Sequence, residues 1–303
     1  MIIPNFTPMS PRKQSTLPVG NEWIHQLKWD GYRIIASNME GEVELLSKKM
    51  LSKNKPFPDL VAALSRSNVS FILDGEIVIL DEATGQPSFQ LLQQRDKLKD
   101  ESSIGRAAER LPVVYVVFDL LMIHGEDIRK LPYHHRREQL LALASEWGSP
   151  IYIADEFEDG SLLWKWVIDH GWEGIVSKKK CSRYREGKEH HDWVKCKTVA
   201  HYDASVVGII WKEGRISSLV MKKNEQYFGR ISSGLTTGSK QALSALRTEA
   251  PMNKHFDNLP EGLKGAEIRW LNQPLAARVT GRELTEAGIL RHPKLIDVEG
   301  ISL

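Results

Sequence analysis

Three stretches of the chain, 24–35, 71–80 and 113–123, are dense in β-branched and aromatic residues, the pattern of half-buried or fully buried strands. Helices are predicted over 58–66, 133–146 and 161–170, the last with Ser161 as N-cap and Gly171 as stop. After about residue 199 the texture changes. Runs at 204–211, 217–222 and 226–232 read as short antiparallel strands joined by glycine and charged turns. A helix is predicted over 240–250 behind a Gly-Ser cap, and two further strands over 266–270 and 276–280.

Five short strands and one helix within about a hundred residues suit a small closed barrel, of the oligonucleotide-binding (OB) or the SH3-like kind. The predicted fold class is α+β. Residues 1–200 form antiparallel sheets flanked by helices, residues 201–303 form the barrel, and a hinge is predicted near 199–203.

A chain of 303 residues, 41% hydrophobic and 26% charged, has the balance of a soluble globular protein with a real core. No apolar run approaches the roughly 18 to 20 residues that span a bilayer, so no membrane partner is expected. Met1–Phe6 lacks the basic-then-apolar order of a signal peptide. The two cysteines, Cys181 and Cys196, have no CxxC spacing, which argues against a disulfide scaffold or a zinc site and fits a reducing cytoplasm.

Net charge is only +2, but its distribution says more than its sum. Between residues 178 and 197 eight basic residues (Lys178, Lys179, Lys180, Arg183, Arg185, Lys188, Lys195, Lys197) face three acids (Glu186, Glu189, Asp192). That local excess is enough to engage several phosphates; a lone charge run of this kind would ordinarily be a solvated loop.

Five short motifs carry chemistry. In Leu27-Lys28-Trp29-Asp30-Gly31-Tyr32-Arg33 a lysine, a carboxylate and an arginine crowd around a glycine turn. A lysine attacks only as the free amine, a form that burial and neighbouring cations favour. Asp74-Gly75-Glu76 sits inside the apolar run 71–80. A hairpin turn at Asp74-Gly75 would put both acids in water, but the apolar Ile77-Val78-Ile79-Leu80 that follows suits a central strand better. Phe118 lies on a core strand, and Glu173 stands beside Gly174 before a strand ending at Lys178. In Trp193-Val194-Lys195-Cys196-Lys197, strand alternation puts both lysines on one face, where a bound phosphate would relieve their repulsion.

Each motif is weak alone, but their order is informative. Lys28 to Arg33, Asp74-Gly75-Glu76, Phe118-Asp119-Leu120-Leu121, Glu173 to Lys178 and Trp193 to Lys197 resemble the successive nucleotidyltransferase motifs of ATP-dependent DNA ligases. The surroundings resemble the bacterial ligases of non-homologous end joining: Pro56-Phe57-Pro58-Asp59-Leu60, Leu131-Pro132-Tyr133 with Arg136-Arg137, Arg183-Tyr184-Arg185, Phe228-Gly229-Arg230-Ile231, Gly234-Leu235-Thr236 and Leu290-Arg291-His292-Pro293.

The resemblance implies a nucleotidyltransferase domain followed by an OB barrel, using ATP with Mg²⁺ or Mn²⁺ to seal nicked double-stranded DNA. Lys28 would carry AMP. Glu76 and Glu173 would ligate the metal or contact the ribose. Phe118 would stack on adenine, with Gln26 and Asp30 nearby, and Lys178, Lys195 and Lys197 would hold phosphates. Arg33 would grip the nick phosphate bidentately, with Lys48, Arg183 and Arg185 also on nucleic acid. The resemblance further implies a minimal monomeric enzyme, with end-joining proteins as partners.

Two departures stand out. Ser47-Lys48-Lys49-Met50 replaces the family's Ser-Arg-x-Gly, so Lys48 stands for an arginine. After Arg291-His292-Pro293 the usual charged Arg-x-Asp-Lys segment is absent, leaving Arg291 to support adenylation and implying slow self-adenylation. The competing readings are an RNA ligase or capping-type transferase and a decayed DNA-binding module. The DNA-ligase-like 228–230 and 291–293 stretches oppose the first, and the intact Lys28, Glu76, Glu173, Lys195 and Lys197 oppose the second.

Overall fold

The computed structural model describes residues 7–187, 189–281, 284, 285 and 287–303, so the N-terminal hexapeptide and Lys188 lie outside it. The chain divides into two compact units, Met1–Thr198 and Val199–Leu303. Among the described residues no helix is long and apolar enough to cross a membrane.

The first unit runs β1 (Ser10–Lys13), β2 (Trp23–Leu27), β3 (Tyr32–Met39), β4 (Glu42–Ser47), α1 (Pro58–Leu64), β5 (Phe71–Val78), α2 (Phe89–Asp96), α3 (Glu101–Arg110), β6 (Val114–Ile123), β7 (Glu126–Asp127), α4 (Tyr133–Leu143), β8 (Ile151–Ile153), α5 (Gly160–Asp169), β9 (Gly174–Lys179) and β10 (Glu189–Lys197). These strands make two sheets, one ordered β4-β3-β5-β6-β7 with β8 added parallel to β6, the other β1-β10-β9-β2.

β5 is central, which is why its sequence is apolar on both sides of Asp74: Ile34, Leu73, Ile77, Tyr115 and Leu140 fill the helix-covered face. Ile35, Ile72 and Leu121 face the other way and pack with Trp193 of β10 and with Tyr184, joining the two sheets. Truncating one fully buried leucine of such a core costs about 2–5 kcal/mol.

Several sequence expectations change. The single strand at 24–35 is two strands on different sheets, broken at Lys28–Gly31. The reason lies on the neighbouring strand: a Cβ on Gly31 would lie 2.1 Å from the Ile77 carbonyl oxygen, so only glycine lets the chain cross there. α5 begins one residue earlier than expected, because Asp159 rather than Ser161 caps it, accepting from Ser161 N and Leu162 N at 2.9 Å each. Helices α2 and α3, capped by Ser88 and Asp100, were not anticipated.

The second unit contains β11 (Ala200–Lys212), β12 (Arg215–Lys223), β13 (Gln226–Ile231), α6 (Thr237–Ser244), β14 (Glu267–Gly281) and β15 (Lys294–Val298). The expected strands at 266–270 and 276–280 are one long strand, and the fifth strand is β15, beyond the last strand expected from the sequence. α6 starts before the expected Gly-Ser cap, because Thr236 and Ser239 form a reciprocal capping box. Of the expected hinge at 199–203, Val199 is the first residue of the second unit and residues 200–203 pair with β14. Sheet order is β13-β12-β11-β14-β15, and a parallel bridge from Ser233 to Lys294 joins the two outer strands. With α6 between β13 and β14, this is the connectivity of the OB barrel rather than the SH3-like one.

Candidate active site

A cavity of about 230 Å³ opens between the two sheets of the first unit. Its walls carry Gln26, Lys28, Trp29, Arg33, Lys48, Glu76, Phe118, Val176, Lys178, Trp193 and Lys195, with every one of the five motifs represented; of the expected site residues of those motifs, Asp30, Glu173 and Lys197 are not in the lining. Strand register explains the convergence. Gln26, Val176 and Lys195 form one row across β2, β9 and β10, and Lys178 pairs with Trp193 beside it. On the facing sheet Arg33 and Glu76 are cross-strand partners. The β5–β6 ladder slips between Asp74 and Gly75, whose partners are Asp119 and Val117, so Phe118 has no residue opposite and turns into the cavity.

Lys28 is the first residue past β2. Its N–H donates to the Gly174 carbonyl at 2.9 Å, and its side chain forms an ion pair with Glu173. Glu173 also takes Lys197, so one carboxylate bridges two motif lysines. The glycine after it is obligatory: Gly174 has φ +148°, and a Cβ there would lie 2.1 Å from the Cys196 carbonyl oxygen.

Glu76 is half-buried and accepts no hydrogen bond from the described residues. Burial pushes its carboxyl up to about 8; Lys28 and Arg33 pull down, while Glu173 and Asp74 push further up. Lys195 is lowered from the ordinary lysine value, first by burial and then by Lys197 and Lys48, against the raising effect of Glu189. The rim is thus cationic and its floor holds a carboxyl that resists ionisation.

Two of the expected phosphate contacts have their side chains engaged within the protein itself. Arg33 does not present a free fork, because its Nε and Nη2 donate to Asp74 at 2.9 and 2.6 Å. Asp74 is fully buried and needs that partner, and Tyr184 donates to it as well, at 2.7 Å. Lys178 lines the cavity but is not an open phosphate hand. Its Nζ donates to the Phe118 carbonyl at 2.7 Å and lies 4.3–4.7 Å from the ring centres of Trp193, Phe118 and Tyr133. Burial lowers it to about 7.

Gln26 is buried and donates through Nε2 to the Tyr133 hydroxyl at 3.0 Å, a partner that sequence reading did not supply. Asp30 is half-buried on the crossing loop. Lys48 is exposed at the rim, and Arg183 and Arg185 are exposed on either side of buried Tyr184, away from the cavity lining. Arg291 is exposed in the second unit.

Residues 10–197 match the family model described as ATP dependent DNA ligase domain. The chain is 29% identical over 271 residues to the bifunctional non-homologous end joining protein LigD of Bacillus subtilis, covering 84% of this chain and 43% of that one. It is 31% identical over 290 residues to the multifunctional non-homologous end joining DNA repair protein LigD of Mycobacterium tuberculosis, covering 89% and 35%. The chain therefore spans less than half the length of these relatives. The ligase domain of M. tuberculosis LigD superposes with a TM-score of 0.55 at 28% identity, covering 97% of this chain and 95% of that domain. A mycobacterial DNA ligase D complexed with ATP and MES gives 0.53 at 27%, covering 95% and 94%. With the family model spanning most of the chain and its motifs meeting in one cavity, this protein belongs to the ATP-dependent DNA ligase domain family.

Proposed function

We propose that the chain is an ATP-dependent DNA ligase that seals nicks in duplex DNA, with the AMP-transfer chemistry in residues 1–200. The observation that carries this reading is the contact of Lys28 and Lys197 with the same carboxylate, Glu173, beside a cavity that also holds Glu76 and Lys195. An amine that must become a nucleophile is here fixed next to cations suited to a phosphate chain.

In the first step the Lys28 nitrogen forms a bond to the α-phosphorus of ATP while the bond to the pyrophosphate oxygen breaks, giving a lysyl-AMP phosphoramidate. The ammonium proton must leave first, and Glu173 is in contact to accept it. Lys195 and Lys197 neutralise the phosphates, a placed-charge effect. AMP then passes to the 5′-phosphate of a nick, and the 3′-hydroxyl attacks that phosphate and releases AMP. Phe118 would stack on the base, and Gln26 lines the same cavity.

The carboxyl of Glu76, free of hydrogen bonds from the described residues and close enough to Glu173 to feel its charge, fits a hard divalent cation. Glu76 and Glu173 would hold Mg²⁺ or Mn²⁺, which would neutralise charge developing on the phosphates. All these groups come from one chain, so a monomer suffices for labelling. The relatives' names point to end joining, and end-joining proteins are the proposed partners.

Sealing of a 5′-phosphorylated nick in DNA, compared with the same nick in RNA and with GTP in place of ATP, tests the reading. DNA sealing with ATP alone is expected. Preference for RNA or GTP would replace it with the RNA-ligase or capping reading.

A further inference from the structure

Among the described residues, one cluster of metal-ligating side chains outside the cavity is left without a role. His190, His191 and Asp192 are consecutive on β10, and in a regular strand His191 would point away from its neighbours. The ladder with β1 slips here: Pro11 pairs with His190 but Arg12 with Val194, so residues 191–193 bulge. The bulge brings one donor atom from each of the three side chains within 4.8 Å of the others. His190 Nδ1 lies 3.1 Å from Asp192 Oδ2, and His191 Nε2 lies 3.5 Å from Asp192 Oδ1. An ion with tetrahedral bonds near 2.1 Å needs donors about 3.4 Å apart, so the three side chains have to draw in only slightly to close around one.

We propose that His190, His191 and Asp192 form a binding site for a borderline divalent cation of the zinc, cobalt or nickel class, completed by solvent. Two imidazoles and one carboxylate select this class over magnesium, which prefers all-oxygen shells. His190 Nδ1 accepts the Asp192 backbone N–H at 3.2 Å, so that nitrogen is unprotonated, and it must give up this hydrogen bond to take an ion. Lys179, 3.9 Å from Asp192 Oδ1, is the cation now facing that carboxylate, and its flexible stem lets it yield to an ion. The site shares no residue with the cavity and does not depend on the ligase reading.

The test is Zn²⁺ binding to the full chain in excess Mg²⁺, followed by competition with a chromophoric chelator. Wild type is expected to take up one equivalent. His191→Ala, at a side chain 66% exposed and therefore harmless to the fold, and Asp192→Asn should each weaken binding by at least the roughly 10- to 100-fold that loss of an outer-shell partner costs. Cys181→Ser, which removes an exposed thiol, should leave binding unchanged. No uptake by wild type, uptake that survives both site variants, or uptake abolished by Cys181→Ser overturns the proposal.

Discussion

Lys28 and Glu173, 145 residues apart in the chain, form an ion pair, and the same carboxylate holds Lys197. Whichever lysine is removed, Glu173 is released to the other. Lys197→Ala therefore does two things: it deletes a phosphate-neutralising charge and it tightens the pairing that masks Lys28. Single-turnover transfer of label from ATP to the protein should slow by roughly 10²–10³-fold, the scale of losing one placed donor. Lys195→Ala should slow it comparably. Ordinary labelling in either variant would remove that lysine from the phosphate site.

The Glu76 carboxyl sets a pH dependence whose sign is opposite to that of a salt-bridged acid. Burial lifts it from 4.5 to about 8, so across that window the folded chain keeps a proton that the unfolded chain has lost. Its contribution to stability is present below the lower value and disappears as pH rises to the upper one. Glu76→Gln keeps the neutral shape at every pH. Melts of the nucleotide-free protein at pH about 5, about 7 and about 9 should show the variant gaining on wild type at each step. A difference that stays flat, or shrinks with pH, contradicts the assignment.

Asp74 and Asp119 face each other across β5 and β6, both buried, and like charges so placed repel. Each has its own guanidinium: Arg33 on Asp74, and Arg136 on Asp119 at 2.8 and 2.7 Å. Arg136 also donates to the Leu131 and Ser182 carbonyls and does not line the cavity. Arg136→Ala should cost about 3–5 kcal/mol in urea unfolding, the scale for stranding a buried charge. A loss below about 1 kcal/mol would show that Asp119 finds another partner.

Gly31 and Gly105 should respond to alanine in opposite directions. At Gly31 the new methyl meets the Ile77 carbonyl, forcing the crossing loop that places Lys28, so both melting temperature and labelling rate should fall. At Gly105, in helix α3 with open space around it, alanine should stabilise by about 0.5–1 kcal/mol and leave labelling unchanged. Labelling that survives Gly31→Ala would detach the loop from the chemistry.

Much of this was legible in the sequence where a motif coincided with a strand. The apolar run after Asp74-Gly75-Glu76 ruled out a hairpin turn, and β5 is indeed central. Alternation put Lys195 and Lys197 on one face of β10; Lys195 lines the cavity beside Trp193, whereas Lys197 pairs with Glu173. Illegible features depended on contacts distant in sequence. Nothing in 24–35 announces a change of sheet, since the reason for it is the carbonyl of Ile77. Arg33 read as a free fork because its acceptor, Asp74, lies 41 residues away. Lys178 read as a phosphate ligand because its aromatic surroundings come from β6, α4 and β10. α2 and α3 escaped notice because they are short and largely polar, with helix starts set by the single side chains of Ser88 and Asp100.

The central claim is that Lys28 becomes covalently bonded to AMP. Incubation with ATP and Mg²⁺, digestion and mass spectrometry locate the adduct directly. The account predicts one AMP on the peptide containing Lys28, none in Lys28→Ala, and loss of the adduct when nicked duplex DNA is added. AMP on another residue, or undiminished labelling of Lys28→Ala, would contradict it.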